Sequence, residues 1–82
     1  MEAEPVLVRH VLLLRDPAAA EALAATLTAD GYDVRIDTVD GGLTWIVRAT
    51  DTAEHAETAR EGLTSLAARH GAEYEGWEAG RP

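Results

Sequence analysis

Residues 6–14 read V-L-V-R-H-V-L-L-L, and their pattern sets the position of one strand in the predicted sheet. The stretch has the length and the β-branched and aliphatic content of a strand. Apolar residues fall on both alternating faces, with Val6, Val8, Leu12 and Leu14 on one and Leu7, Val11 and Leu13 on the other. A strand that is apolar on both sides is typical of the centre of a sheet.

Cap and turn signals divide the rest of the chain into helices and strands. Asp16-Pro17 combines a good N-cap with a proline suited to the first helical position. Asp40-Gly41-Gly42 is a tight-turn signal between two strands, and Asp51-Thr52 caps a second helix. The predicted elements are strands at 6–14, 32–39, 43–50 and 72–77, and helices at 17–30 and from 51 to about 70.

This order of elements predicts one α+β domain over residues 1–82, a ferredoxin-like βαββαβ sandwich. Right-handed crossovers in both halves give a four-stranded antiparallel sheet with the strand order 4-1-3-2. The first strand is then central, as its two-sided apolar pattern requires. Both helices lie on one face of the sheet, and the other face stays open.

Apolar stripes at helical spacing predict which residues form the core. The stripes are Ala20, Leu23, Ala24 and Leu27 in the first helix, and Ala56, Ala59, Leu63, Leu66 and Ala67 in the second. Trp45, in the middle of a strand, is expected to face this core. Gly62 interrupts the second helix, either because the sheet approaches closely there or for no structural reason.

The composition limits the classes of function. The 82-residue chain has a formal net charge of −8 and no cysteine. Such an acidic surface disfavours direct nucleic acid binding and favours a basic protein partner, although acidity also keeps a protein soluble. The longest apolar run, at 11–14, is too short to span a membrane, and residues 1–5 lack signal-peptide character. We therefore expect a cytoplasmic protein.

No pattern in the sequence predicts catalysis, a cofactor or a metal site. None of the three histidines has a second histidine four residues away, and no phosphate-binding or nucleophile motif occurs. His10 is the one histidine inside a predicted strand. It is either a structural residue, exposed or hydrogen-bonded, or part of an interaction surface on the open face.

The closing stretch A-E-Y-E-G-W-E at 72–78 holds two of the four aromatic residues of the chain. In a regular strand Tyr74 and Trp77 would point to opposite faces, but a bulge at Gly76 would bring Trp77 to the side of Tyr74. Both rings then cap one end of the core, or Trp77, ringed by Glu73, Glu75 and Glu78, anchors a partner. The candidate partner-binding residues are Trp77, Tyr74, Glu75, Gly76 and His10.

These residues carry a resemblance to a known family. Residues 66–78, L-A-A-R-H-G-A-E-Y-E-G-W-E, resemble the end of the RraB family of ribonuclease E inhibitors, the regulators of ribonuclease activity B. Glu75 stands where the family more often has Asp. Residues 9–24 look like the family's His-led first strand and helix start, and residues 30–34 look like the entry to its second strand.

The resemblance implies a non-catalytic protein that binds an endoribonuclease of the ribonuclease E type, or an associated protein, and modulates RNA decay. It also implies the same ferredoxin-like fold. Fold analogy alone offers two alternatives: a dimeric regulatory domain that binds a small ligand, and a small dimeric α/β-barrel enzyme with His10 and Trp45 in its pocket. The two-sided first strand also favours a homodimer through the open sheet face.

Overall fold

The computed structural model describes residues 6–79 of the chain. Residues 1–5, where the sequence predicts no signal peptide, and residues 80–82 lie outside the described part. The elements follow the predicted order β-α-β-β-α-β. They are β1 (Leu7–Leu14), α1 (Pro17–Ala29), β2 (Asp33–Val39), β3 (Thr44–Thr52), α2 (Ala53–Arg69) and β4 (Glu73–Ala79), with a short 3₁₀ turn, Asp40–Gly42, between β2 and β3.

The four strands form one antiparallel sheet in the order β2-β3-β1-β4. This is the predicted order 4-1-3-2 counted from the opposite edge. β1 pairs with β3 on one side and with β4 on the other, so its central position is confirmed. The α+β ferredoxin-like fold predicted from the sequence is therefore correct.

The two faces of the sheet differ in burial along β1. Val8, Leu12 and Leu14 are buried beneath the helices, whereas Val11 and Leu13 on the other face are half-buried. We call these the covered face and the open face. The apolar residues of the open face shield one another along and across the strands, which explains their partial burial without a second layer of helices.

The core lies between the covered face and the two helices. All four residues of the predicted α1 stripe are buried, as are Ala56, Leu63 and Ala67 of the α2 stripe. Ala59, Leu66 and Trp45 are partly buried and pack against this core, so the sequence predicted the apolar side of each helix correctly. The fully buried side chains with the largest volumes are Leu12, Leu23, Leu27, His10 and Val47.

Both helices begin with a side-chain cap. The Asp16 carboxylate accepts a hydrogen bond of 3.1 Å from the backbone N–H of Ala18, with Pro17 as the first helical residue. The Thr52 hydroxyl accepts one of 3.4 Å from the N–H of His55. Asp51, predicted as part of this cap, stays in β3, which runs two residues further than the sequence indicated.

Gly62 is exposed on α2, and a Cβ atom added there would meet no atom within 4 Å. Close approach of the sheet therefore does not explain this glycine, and that interpretation of the sequence is wrong. A glycine in the interior of an exposed helix costs about 1 kcal/mol relative to alanine.

Candidate functional site

A β-bulge in β4 aligns the two aromatic residues of the closing stretch. Leu12 pairs with Tyr74 and Val11 with Gly76, so Glu75 is one extra residue in β4. Gly76 has a φ of +107°, which an L-residue adopts only with strain. His10 then pairs with Trp77, and Trp77 lies on the covered face together with Tyr74. The predicted bulge at Gly76 and its effect on Trp77 are confirmed.

His10 is completely buried on the covered face. Its Nδ1 shares a hydrogen bond of 2.8 Å with the hydroxyl of Tyr74, while its Nε2 has no partner among the described residues. Burial lowers the pKa of His10; the charge of Asp51 opposes this effect, and His55 reinforces it. The hypothesis that His10 belongs to the open face is wrong, because its even position in β1 turns it toward the helices. The hydrogen-bonded structural alternative is correct.

Three aromatic rings surround the imidazole. Tyr32 and Trp77 meet it edge-on, with ring centroids 6.3 and 5.7 Å from that of His10, and Tyr74 is tilted at 5.8 Å. Edge-to-face packing at these distances is favourable. Burial raises the pKa values of both tyrosine hydroxyls, which therefore remain protonated near neutral pH. We call these four residues the His10 cluster.

Helix α2 closes the cluster with Arg60 and His55. The guanidinium of Arg60 lies over the Trp77 ring, 5.6 Å from its centroid, within the range of a cation–π contact. His55 lies 6.4 Å from Tyr32, and its Nδ1 is 2.5 Å from a carboxylate oxygen of Asp51. Sequence reasoning missed both residues as parts of the site, because their contacts cross between elements and leave no local pattern.

The acidic residues of β4 flank Trp77 on one side only. Glu78 pairs with Arg9 and Glu73 with Leu13, both on the open face, and Glu78 forms an ion pair of 3.6 Å with Arg9. Trp77 is half-buried on the opposite face. The predicted ring of three glutamates is therefore only partly present: the Trp77 ring packs against His10 and Arg60, while Glu75 and Glu78 line a groove of about 300 Å³ with Trp77. The role of Trp77 as an anchor for a partner stays a prediction.

A groove of about 510 Å³ runs along the other side of α2, and we call it the α2 groove. One helical stripe of α2 forms its wall, from His55 through Gly62 to Arg69, while Asp30 and Tyr32 line it from outside the helix. Tyr32 thus belongs to both the groove and the His10 cluster. The remaining lining residues are Ala59, Leu63, Ser65 and Leu66.

Within residues 6–79 the open face combines apolar and charged residues, and no aromatic side chain projects from its centre. Val11, Leu13 and Ile46 occupy its centre, and Arg48 forms an ion pair of 2.6 Å with Asp37. The covered face instead holds the aromatic residues Tyr32, Trp45, Tyr74 and Trp77.

Within residues 6–79 no three His, Asp or Glu side chains are grouped so that they could hold a metal ion.

Residues 3–79 match the family model of RraB, described as regulator of ribonuclease activity B. The chain belongs to the RraB family. The match covers nearly the whole sequence, including the segments that carry the resemblance. Membership of this family implies that the chain is a regulator of ribonuclease activity. No curated protein sequence matches the chain.

A solved structure supports the fold of this RraB-family chain. The peptidoglycan binding domain of the B. subtilis cell wall lytic enzyme CwlC, determined in solution, is similar with a TM-score of 0.50 and 20% sequence identity. The alignment covers 96% of this chain and 99% of that domain. At this level of identity the likeness concerns the fold alone.

Neither α1 nor α2 of the described part has the length and apolar composition of a membrane-spanning helix.

Proposed function

We propose that this RraB-family chain binds an endoribonuclease of the ribonuclease E type, or a protein associated with it, and modulates RNA decay without catalysing a reaction. The observation that supports this most is the family match over residues 3–79, because the family is described as a regulator of ribonuclease activity. Its site of action would then be the cytoplasm, as the sequence predicts.

The distribution of aromatic residues supports a protein partner rather than RNA. Single-stranded RNA is typically held by bases stacked on exposed aromatic side chains and by a basic surface. No aromatic side chain projects from the centre of the open face among the described residues, and the chain carries a net charge of −8. The same charge would attract a basic segment of a protein.

We place the partner contact on β4, at the edge of the sheet. Glu73, Glu75 and Glu78 are exposed, and this strand has no lysine, arginine or proline. Tyr74 and Trp77 are half-buried beside them, so an approaching segment would meet both carboxylates and aromatic edges. His10 would act from beneath by holding the two rings in position.

Regulation by binding requires no chemistry in this chain. A small acidic domain that covers a basic segment of the ribonuclease, or of its scaffold, excludes RNA from that segment and can bias its conformation. The size of the domain is sufficient, because one standard interface buries about 800 Å² on each partner, and the described residues expose 5573 Å² in total.

Capture from a native lysate tests the proposal. We expect wild-type protein to recover an endoribonuclease or an RNA-decay protein, and Glu75→Lys to recover much less, because the exposed carboxylate would be replaced by a repelling charge. Glu21→Lys on α1 is the matched control, with the same charge change on an exposed residue far from β4. If wild type recovers no such protein, the proposal fails. If both variants lose capture equally, only the placement on β4 fails.

A further inference from the structure

No contact among the described residues explains why position 62 is a glycine. It lies in the middle of α2, where alanine would be favoured by about 1 kcal/mol, and a Cβ atom would meet open space. A glycine at such a position leaves room for another backbone to come close to the helix. The residue is also part of the wall of the α2 groove.

The α2 groove has the shape of a helix-binding surface. Its wall runs over the fifteen residues of α2 from His55 to Arg69, a length of about 21 Å or four helical turns. Among its lining residues Asp30, His55, Gly62, Ser65 and Arg69 are exposed, so the groove is open to solvent along α2. Such an elongated open groove suits a partner helix better than it suits an enclosed small molecule.

We infer that the α2 groove binds an amphipathic helix with basic residues, contributed by a protein partner. The apolar side of that helix would lie on the half-buried Ala59 and Leu66, above the buried Leu63, and its backbone would approach α2 most closely at Gly62. Helix-in-groove recognition uses apolar residues spaced three and four apart on the bound helix, so a partner of this kind needs one such apolar stripe.

The charges beside the groove determine the character of the helix. Asp30 lines the groove, and Glu54 and Glu61 are exposed on the outer side of α2 about a quarter turn from Gly62. Of the described residues, Arg69 is the one arginine that lines the groove, and His55 faces the carboxylate of Asp51. The surroundings are acidic on balance, so lysine and arginine on the flanks of the partner helix are favoured.

The groove is separate from the surface proposed on β4, because α2 lies between them: Arg60 faces Trp77 on one side of the helix, and Gly62 faces the groove on the other. The inference rests on the proposed function only for the source of the helix, a segment of the ribonuclease or its associated protein. The chemistry of the groove can be tested without that partner.

The probe is a synthetic helical peptide of about eighteen residues, long enough for four turns. It contains leucine at positions i, i+4, i+7 and i+11 with alanine and lysine elsewhere. Backbone amide shifts of the isotope-labelled protein report where it binds. We expect saturable shifts centred on Tyr32, Ala59, Gly62 and Leu66. A scrambled peptide of the same composition, and one with glutamate in place of lysine, should bind at least tenfold more weakly.

Substitutions at Gly62 separate binding from folding. Gly62→Ala should raise the thermal midpoint and weaken the peptide, and Gly62→Leu should weaken it at least tenfold while the domain remains folded. Thr64→Ala is the matched control: it also replaces a residue by a better helix former on α2, outside the groove, and should leave peptide affinity unchanged. Shifts centred on β4 or the open face, no saturable binding, or wild-type affinity of Gly62→Leu would each overturn the inference.

The ribonuclease partner distinguishes failure of this inference from failure of the proposed function. If Gly62→Leu captures the ribonuclease as well as wild type does, the groove is not the docking site although the proposed function stands. If no variant captures a ribonuclease but the peptide still binds as expected, the groove is a helix-binding site and the proposed partner is wrong.

Discussion

His10 joins three strands of the sheet through one imidazole ring. It is contributed by β1, touches Tyr32 immediately before β2, and contacts Trp77 and the Tyr74 hydroxyl in β4. A buried nitrogen without a partner costs about 1–3 kcal/mol, and Nε2 is such an atom among the described residues. The contacts with three rings offset part of this cost and fix the positions of the aromatic residues on β4.

Acid should destabilise the protein through His10. Its pKa is lowered in the folded state, so below about pH 6.5, the usual histidine value, the unfolded chain takes up a proton before the folded chain does. Stability from the neutral imidazole is therefore complete above that pH and is lost as the pH falls toward the folded pKa. Urea unfolding measured between pH 7.5 and 5 should show a falling free energy of unfolding.

The double variant His10→Leu/Tyr74→Phe removes both partners of the buried hydrogen bond and should lose this part of the pH dependence. Replacing both groups by apolar ones of similar shape is often nearly neutral, so its stability at pH 7.5 should stay within about 1–2 kcal/mol of wild type. Thr64→Ala on α2, which changes no titratable group, is the control and should keep the wild-type pH profile. An unchanged slope in the double variant would show that His10 does not cause the acid effect.

At the scale of elements, local signals determine what the sequence can predict. Three local signals predicted their elements correctly, because each depends only on residues close in sequence. They are the Asp16-Pro17 helix start, the glycines of the Asp40–Gly42 turn and the apolar stripe of α1. The side on which Trp77 lies depends on one glycine and its bulge, which the sequence suggested but left open. The contact of Arg60 with Trp77 requires the packing of α2 on β4, and no spacing along the chain encodes it.

The substitution Gly76→Ala adds only one methyl group but should disturb β4 strongly. The positive φ of Gly76 costs an L-residue on the order of 1–3 kcal/mol, although an added Cβ would meet no atom within 4 Å. The expected result is a loss of at least about 1 kcal/mol in urea unfolding, with changed amide shifts at His10 and Trp77. Gly62→Ala is the matched control, since it adds the same methyl group at ordinary helical φ and should stabilise. Equal effects of the two substitutions would contradict the role assigned to the bulge.

For the molecule as a whole, charge is distributed unevenly. The register places Arg9, Arg35 and Arg48 on the open face. Five carboxylates border this face, those of Asp33, Asp37, Glu73, Glu75 and Glu78. The open face therefore holds only a small part of the net charge of −8, and most of that charge lies on the helices, the turns and the chain ends. A basic partner is consequently directed to the helical side and the β4 edge rather than to the centre of the sheet.

The same distribution disfavours the homodimer that the two-sided apolar β1 suggested. Two copies packed face to face are related by a two-fold axis between the sheets. If the two-fold axis runs parallel to the strands, β4 of one copy faces β2 of the other. Glu73 then lies opposite Asp37, and Glu78 lies opposite Asp33. If the axis instead runs perpendicular to the strands through the centre of the face, Arg48 of one copy faces Arg48 of the other. Either arrangement brings like charges together.

We therefore expect a monomer in solution, with a mass of 8.8 kDa by light scattering. The variant Glu73→Lys/Glu78→Lys should self-associate more readily at low salt, because the first arrangement would then pair opposite charges across the apolar centre formed by Val11 and Leu13. Glu54→Lys/Glu61→Lys on α2 changes the net charge equally away from that face and should remain monomeric. Twice the monomer mass for the wild type at low salt would show that apolar contact on the open face outweighs the repulsion between carboxylates.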